Sequence, residues 1–482
     1  MHNDEYEMNY SRYIEPVYGD KRDMIHDDTL MSNDNLLHEY SIPFEERYNF
    51  SMYDVYSIDP EGCKDADDAF SIYEENDKLF LVIHIADPTN YIKLNSNLWN
   101  DIVNRTTTKY LSNRAPIHMM PHQILEMSSL MTFDKEEYKN TISIIIEIDK
   151  NTFEPINKIK LVFGIIKTNK NNAYTYAGAS DCANTNNVLN TGLKIGSALF
   201  NLRKEKTKGS ALSELSNSYI KYNEYNGYNG YNGYNGPTTY LYTDTYNEKR
   251  MKQMIAEFAI FANSYVGEYL KINLNTGIFR TCAANEWLQT VYTNITGEEM
   301  LQEIITNGIR ADYMSSIEPH DLVGMPEYCH FTSPIRRLSD CVCHYLLKFI
   351  YFQNKNSNYT IPFNHEELNR LSFKCVTANK KDKKNQYLDV KFRLLQVMHN
   401  IILQNGNTHI EYYITSYSGL FLNIIISKID NHNIHMSYTL RVRNYLKEIN
   451  AKQKFGLIIN TVNCFTKFDE NTIPELDRVI LT

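Results

Sequence analysis

Ser57-Ile58-Asp59-Pro60-Glu61-Gly62-Cys63-Lys64-Asp65-Ala66-Asp67-Asp68-Ala69-Phe70 places four aspartates, Asp59, Asp65, Asp67 and Asp68, within ten residues. Two carboxylates about 5 Å apart at an effective dielectric near 20 repel by roughly 3 kcal/mol, and a divalent cation between them reverses the sign. Hard cations such as Mg2+ take oxygen ligands and keep positions open for phosphate oxygens. The run points to a Mg2+ site built to act on a phosphate ester. The competing reading is a solvated acidic turn, since Asp favours turns. The flanking residues weigh against it. Ala69-Phe70-Ser71-Ile72 follows at once, then Leu79-Phe80-Leu81-Val82-Ile83-His84-Ile85-Ala86, and both segments read as buried strands. Carboxylates wedged between such strands are costly without a partner. The spacing does not fit a calcium loop, which needs acids at alternate positions, a central Gly and a late Glu.

The 482 residues allow two to four domains and a large core. With a formal net charge of −9 there is no global basic signature, so a nucleic-acid ligand would need a local positive channel. The eight cysteines are scattered and form no C-x-x-C pair, which argues against a zinc site and against a disulfide framework. A reducing compartment, the cytoplasm or another inside the cell, and a monomer without disulfides are expected. The N-terminus is polar and acidic, unlike a signal peptide, and no apolar stretch has the length of a membrane span.

Residues 1–40 are polar and without periodicity, and are expected to be an extension, partly disordered or draped on the surface. Short apolar strands dominate from Ile42 to about Asp149. Helices are expected over Leu189 to Lys206, over Lys249 to Lys271, from Pro334 through Leu347, and over His365 to Leu403. Between the first two lies a low-complexity insert (222–237) in which Tyr225-Asn226-Gly227 repeats through Tyr234-Asn235-Gly236; Asn-Gly favours turns, so a tolerated loop is expected. Tyr412 to Thr482, including Val479-Ile480-Leu481-Thr482, shows short strands that would suit a small barrel.

A second constellation is His330-Phe331-Thr332-Ser333-Pro334-Ile335-Arg336-Arg337-Leu338-Ser339-Asp340. Ser333 suits an N-cap and Pro334 the first helical position, which would put Arg336 and Arg337 in the first turn. Arginines at a helix N-terminus make an anion site in which backbone N–H groups and guanidinium forks converge on phosphate. A surface ion pair with a nearby acid is the alternative reading.

Taken together, the two motifs resemble the ribonuclease II/ribonuclease R family, whose catalytic part is the RNB domain. The resemblance runs from about Glu46 to about Leu347. It also takes in Ile85-Ala86-Asp87-Pro88-Thr89-Asn90-Tyr91-Ile92, Tyr110-Leu111 with Ile117-His118-Met119-Met120-Pro121, and, more weakly, Gly277-Ile278-Phe279-Arg280. The resemblance implies an α+β fold: an RNB catalytic domain of mixed sheets flanked by helices (41–404), then a β-rich C-terminal domain (405–482), a small barrel of OB or S1 type. It implies Mg2+-dependent hydrolysis of single-stranded RNA from the 3′ end, releasing nucleoside 5′-monophosphates. On matching positions, Asp59, Asp65, Asp67 and Asp68 would hold Mg2+ and its waters, with Asp67 the most sensitive. Arg336 would bind the scissile phosphate, with Arg337 supporting the backbone beside it and Ser333 contacting RNA. Tyr110 would stack on the terminal base and Glu257 would contact the 3′-terminal nucleotide. Tyr176, with Tyr174 as competitor, would help distinguish ribose from deoxyribose.

The chain departs from the family in places. About 45 residues precede the motif region, too few for the oligonucleotide-binding domains relatives carry there. The insert disrupts the position of a second clamping aromatic, and Leu338 replaces a usual tyrosine. Arg441, Arg443 and Lys447 could line a groove, although a solvated face is the simpler account. The alternative to an active exoribonuclease is a catalytically weak or inactive RNA-binding protein on the same fold.

Overall fold

A computed structural model describes residues 2–18, 26, 28–31, 39–112, 114–131, 136–215, 218–223, 238–284, 286, 288, 295–355, 358–418, 421–441 and 454–459. The repeats Tyr225 to Gly236, Arg443, Lys447 and the strand expected at Val479 to Thr482 lie outside the described residues.

The apolar runs build a five-stranded sheet. Its members are β1 (Tyr48–Asn49), β3 (Asp68–Glu75), β4 (Lys78–Ala86), β7 (Tyr138–Ile148) and β8 (Pro155–Lys167), in the order β1-β8-β7-β4-β3, with β1 parallel to β8 and the other pairs antiparallel. Strands β4 and β7 are buried over most of their length, which is why they read as near-continuous apolar runs. His84 in β4 is accommodated because its two ring nitrogens share hydrogen bonds with the hydroxyls of Ser143 (2.9 Å) and Ser71 (3.1 Å). A separate short strand, β2 (Ser57–Asp59), pairs in parallel with β9 (Ala173–Thr175). The hairpin of β5 (Lys109–Leu111) and β6 (Arg114–Ile117) stands apart from the large sheet.

Helices cover this framework. Helix α1 is His2–Tyr13, α2 Asn97–Arg105, α3 His122–Ser128, α4 Tyr176–Cys182, α5 Asn187–Lys206 and α6 Tyr246–Leu274. Helix α6 starts in a capping box formed by Thr245 and Glu248. It packs closely on α5, where a Cβ on Gly196 would stand 2.9 Å from the Cα of Met254. Beyond them lie hairpin β10 (Ser218–Asn223) and β11 (Thr238–Thr243), strands β12 (Phe279–Thr281) and β13 (Asp312–Met314), and helices α7 (Gly297–Thr306), α8 (Leu338–Lys355) and α9 (His365–Asn405).

Two expectations are corrected, and a third is not met among the described residues. Residues 2–18 are not aperiodic: Tyr10, Ile14 and Tyr18 recur at helical spacing, are buried, and join Phe392, Leu395 and Met398 of α9 in a second apolar cluster with the C-terminal strands. The polar residues between them concealed the pattern. The helix expected from Pro334 begins at Leu338, and residues 334–336 form a turn in which the Ser333 carbonyl accepts from the amides of Arg336 and Arg337. The C-terminal strands β14 (Thr408–Ser418), β15 (Phe421–Ile429), β16 (His432–Arg441) and β17 (Lys454–Ile459) form one antiparallel sheet, ordered β16-β15-β14-β17. Among the described residues it does not close into the expected barrel.

Candidate active site

Asp59 ends β2 and Asp68 opens β3, so the acidic run is the loop joining them. Gly62 lets it turn, with a φ of +77° that only glycine adopts freely. Pairing of Asp59 with Thr175 across β2 and β9 brings the next residue, Tyr176, to the same end. Thr175 caps α4 through its hydroxyl, which accepts from the Gly178 amide. The acids open into a cavity of about 980 Å³, lined also by Tyr110, His118, Tyr176, Lys252, Asn263, Ser333, Arg336 and Arg337.

Within this cavity the four acids divide into two pairs. Asp67, buried, accepts from Arg336 Nε at 3.0 Å on one oxygen and from the Ile335 amide at 2.7 Å on the other. Burial pushes its carboxyl up and the Arg336 guanidinium pulls against that. Asp65 accepts from the Tyr110 hydroxyl at 2.7 Å and from the Cys63 thiol at 3.6 Å. The other pair has few protein donors. One oxygen of Asp59 accepts from the Cys63 thiol at 3.7 Å, while Oδ2 is buried with no hydrogen-bond partner among the described residues. Burial first, then the nearby Asp68 charge, pushes Asp59 up to about 8. Burial also pushes Asp68 up to about 6, against the pull of Arg336 and Arg337. In both carboxyls the loss of water disfavours the charged form more than the neighbouring guanidinium groups favour it.

A cation beside these two carboxylates would favour their charged forms. Among the described residues no group of three or more His, Cys, Asp or Glu side chains is arranged to hold a metal by itself. Mg2+, however, commonly takes one or two carboxylates, with waters and substrate phosphate completing its octahedron. Asp59, with an orphaned buried oxygen, and Asp68 beside it fit that requirement.

Arg336 lines the cavity with its side chain about two-fifths exposed; besides Asp67 it donates through Nη2 to the Ser333 hydroxyl at 2.9 Å. Ser333 is therefore a bracket for Arg336 and not a helix cap. Its own amide donates to Asp340 Oδ1 at 2.8 Å, the oxygen that also accepts from Arg337 Nη2 at 3.0 Å. Among the described residues, the buried Arg337 Nε has no hydrogen-bond partner. Tyr110 is 39% exposed, enough to present a ring face, whereas the half-buried Tyr174 stacks on Tyr56 and leaves the cavity to Tyr176.

Glu257 departs from expectation. It is 3% exposed, does not line the cavity, and accepts from Arg203 Nε on both oxygens, at 2.9 and 3.1 Å. The cavity face of α6 is Lys252, Ile255, Ala256, Ala259 and Asn263, and one residue on a helix is a rotation of about 100°.

Three residues of the site were not singled out from the sequence. Asn263 is buried and accepts from the amides of Phe331 and Thr332 while donating to the Tyr328 hydroxyl, so α6 fixes the segment that carries the arginines. His118 places Nδ1 3.8 Å from Asp65 Oδ2, and burial lowers its pKa despite that neighbour. Lys252 binds Asp244 and lies over the rings of Tyr219 (4.5 Å) and Tyr176 (5.6 Å). Only the helical phase of α6, which puts Lys252 and Asn263 on one face, offered a signal.

The family model of the RNB domain matches residues 47–353. Exoribonuclease 2 of Buchnera aphidicola subsp. Schizaphis graminum is 27% identical over 345 residues, covering 64% of this chain and 50% of that protein. Ribonuclease R of Helicobacter pylori is 24% identical over 395 residues, covering 73% of this chain and 58% of its own. The chain thus spans about half the length of the curated relatives it matches. Among solved structures, Mycoplasma genitalium RNase R in complex with ribose methylated single-stranded RNA superimposes with a TM-score of 0.67 at 15% identity, over 91% of this chain and 74% of that one. Yeast Ssd1, described as a pseudonuclease, superimposes with a TM-score of 0.64 at 16% identity, over 91% and 55%. These two likenesses speak to the fold.

Proposed function

Because this chain belongs to the RNB-domain family, we propose that it is a Mg2+-dependent hydrolase that shortens single-stranded RNA from the 3′ end, releasing nucleoside 5′-monophosphates. The observation that carries the reading is the Asp67–Arg336 contact, which joins residues 269 positions apart in the cavity where the other three acids stand. Asp59 and Asp68 would hold the ion. Bound there, it would supply an activated water and neutralise charge on the reacting oxygens.

The chain's own residues account for the rest. To release a 5′-monophosphate, water adds to phosphorus and the P–O3′ bond breaks, leaving a 3′-hydroxyl on the shortened strand. Arg336, held at two of its nitrogens by Asp67 and Ser333, is oriented in advance toward the charge that develops on the phosphate. Arg337 supports the adjoining backbone. The Tyr110 ring would take the terminal base by stacking, which tolerates any sequence and contributes roughly 1–3 kcal/mol per base. Tyr176, beside Asp59 and Asp68, would meet the ribose, where a 2′-hydroxyl contact separates RNA from DNA.

The likeness to a pseudonuclease keeps a second reading in view, an RNA-binding protein without turnover. Presence of all four acids and Arg336 favours the first. Incubation with 5′-labelled single-stranded RNA and Mg2+ separates them. Stepwise shortening from the 3′ end that Asp67→Asn abolishes supports hydrolysis. Tight binding with no shortening by the wild type supports the second.

A further inference from the structure

The hairpin β5–β6 forms one wall of the cavity, contributing Tyr110, Ala115, Pro116 and, just after it, His118. It is only two strands, and an isolated two-stranded hairpin is marginally stable in water. Something outside it must hold it. Tyr110 itself reaches Asp65, and a second anchor is a buried carboxylate on α9, Asp389, which is 3% exposed. Its Oδ1 accepts from the Ser112 hydroxyl at 2.6 Å, and its Oδ2 accepts from the Ser112 amide at 3.0 Å and from the Tyr10 hydroxyl at 2.7 Å.

Arg393, one helical turn further along α9, completes the anchor. Its Nε donates to the Ser112 hydroxyl at 2.8 Å, and its Nη1 donates to Glu7 of α1 at 2.6 Å. The guanidinium lies over the Tyr10 ring, 4.2 Å from its centre. Lys109, at the start of β5, donates to the Tyr18 carbonyl at 3.2 Å. Thus the residue two positions after Tyr110 is fixed by α9, and the fixing groups are themselves held by residues 7–18. Charge-assisted hydrogen bonds of this length, shielded from water, are the strong ones.

We infer that Asp389 is a positioning residue for RNA binding: through Ser112 it sets the hairpin so that the Tyr110 ring faces the cavity, and residues 7–18 complete the clamp. The N-terminal segment is then part of the substrate-binding apparatus and not a dispensable extension. The inference rests on the proposed role of Tyr110 in stacking on RNA.

The test uses the full chain and a 5′-labelled single-stranded RNA in EDTA, so that affinity is read without turnover. Tyr110→Ala, Asp389→Ala, Ser112→Ala and the double variants with Tyr110→Ala are compared. Tyr110→Ala is expected to weaken binding roughly tenfold. Asp389→Ala and Ser112→Ala should weaken it by a similar factor, and neither should weaken it further once Tyr110 is already Ala. Asp389→Asn, which keeps an acceptor for the Ser112 amide, should restore most of the affinity. Amide exchange across 109–117 should quicken in Asp389→Ala and Ser112→Ala. Ser112→Ala removes only one hydroxyl and serves if Asp389→Ala does not fold. A full Tyr110 effect with unaltered binding and exchange in both anchor variants overturns this inference alone, as do anchor effects that add fully to Tyr110→Ala. Unchanged binding in Tyr110→Ala overturns both this inference and the stacking role it rests on.

Discussion

Arg336 Nε donates to Asp67 Oδ2 at 3.0 Å, and the same guanidinium donates through Nη2 to Ser333, so two of its three nitrogens are fixed before any ligand arrives. A lysine has one point charge and cannot reproduce that fork. Arg336→Lys and Arg336→Ala should therefore both lower single-turnover cleavage of 5′-labelled RNA, by about 100- to 1000-fold, the range for loss of one oriented donor to a developing oxyanion. RNA affinity should change far less. Lysine restoring most of the rate would refute the geometric account.

Glu257 and Arg203 form a buried ion pair with side chains 3% and 9% exposed. Removing one partner leaves a buried unpaired charge, which typically costs about 3–5 kcal/mol. Glu257→Ala should lower stability in urea unfolding by that order, while Glu257→Leu combined with Arg203→Met should recover much of it. If Glu257→Ala leaves stability intact but weakens binding of the 3′-terminal nucleotide, the sequence expectation for Glu257 is right and the placement away from the cavity is wrong.

Burial pushes His84 down to about 3, and His320 and His344 down to about 4, from 6.5. Their folded values lie below the unfolded one, so the unfolded chain takes up protons first as pH falls. The stability they contribute is complete above pH 6.5 and is lost between there and about pH 3. Each contributes a slope of up to about 1.4 kcal/mol per pH unit. Urea unfolding at pH 6, 5 and 4 should show this decline, and His84→Gln should make it shallower by roughly one such slope. Equal slopes for wild type and variant would remove His84 from the account.

Asp382 on α9 has a buried oxygen with no hydrogen-bond partner among the described residues, and burial raises its carboxyl to about 6 despite Lys109 and Lys381. Here the folded value exceeds the unfolded 3.8. Protonation favours the folded chain, so the contribution is full below pH 3.8 and is lost as pH rises through 6. Asp382→Asn, neutral throughout, should stabilise the protein at pH 8 by about 1 kcal/mol, a figure reduced for partial solvent screening, and by less at pH 4. A thermal shift of the same size at both pH values would contradict this.

How much of this was legible beforehand differs residue by residue. The acid quartet was legible because repulsion among crowded carboxylates, set between two strand-forming runs, is a local quantity. The long helices were legible because their apolar periodicity persists over several turns. Helix α1 and the turn after it were not: the segment is short and mostly polar, and Tyr10, Ile14 and Tyr18 become meaningful only when α9 and the C-terminal sheet cover them. The start of α8 was misplaced because Ser333 and Pro334 make a good local cap, yet the Ser333 hydroxyl is taken by Arg336 and its amide by Asp340.

The amino-acid order by itself determined which chemistry is available, four carboxylates in one loop and a pair of arginines after a serine-proline, since charge and side-chain type are written directly in it. Which carboxylate meets which partner was decided only by the tertiary structure. Asp67 meets Arg336, Asp65 meets Tyr110, and among the described residues one oxygen of Asp59 is left unanswered. Glu257 turns to Arg203 while Ala256 faces the cavity. The physical reason is that each assignment depends on strand register and helical phase, and a shift of one residue, invisible in composition or motif, sends a side chain to the opposite face of a strand or about 100° around a helix.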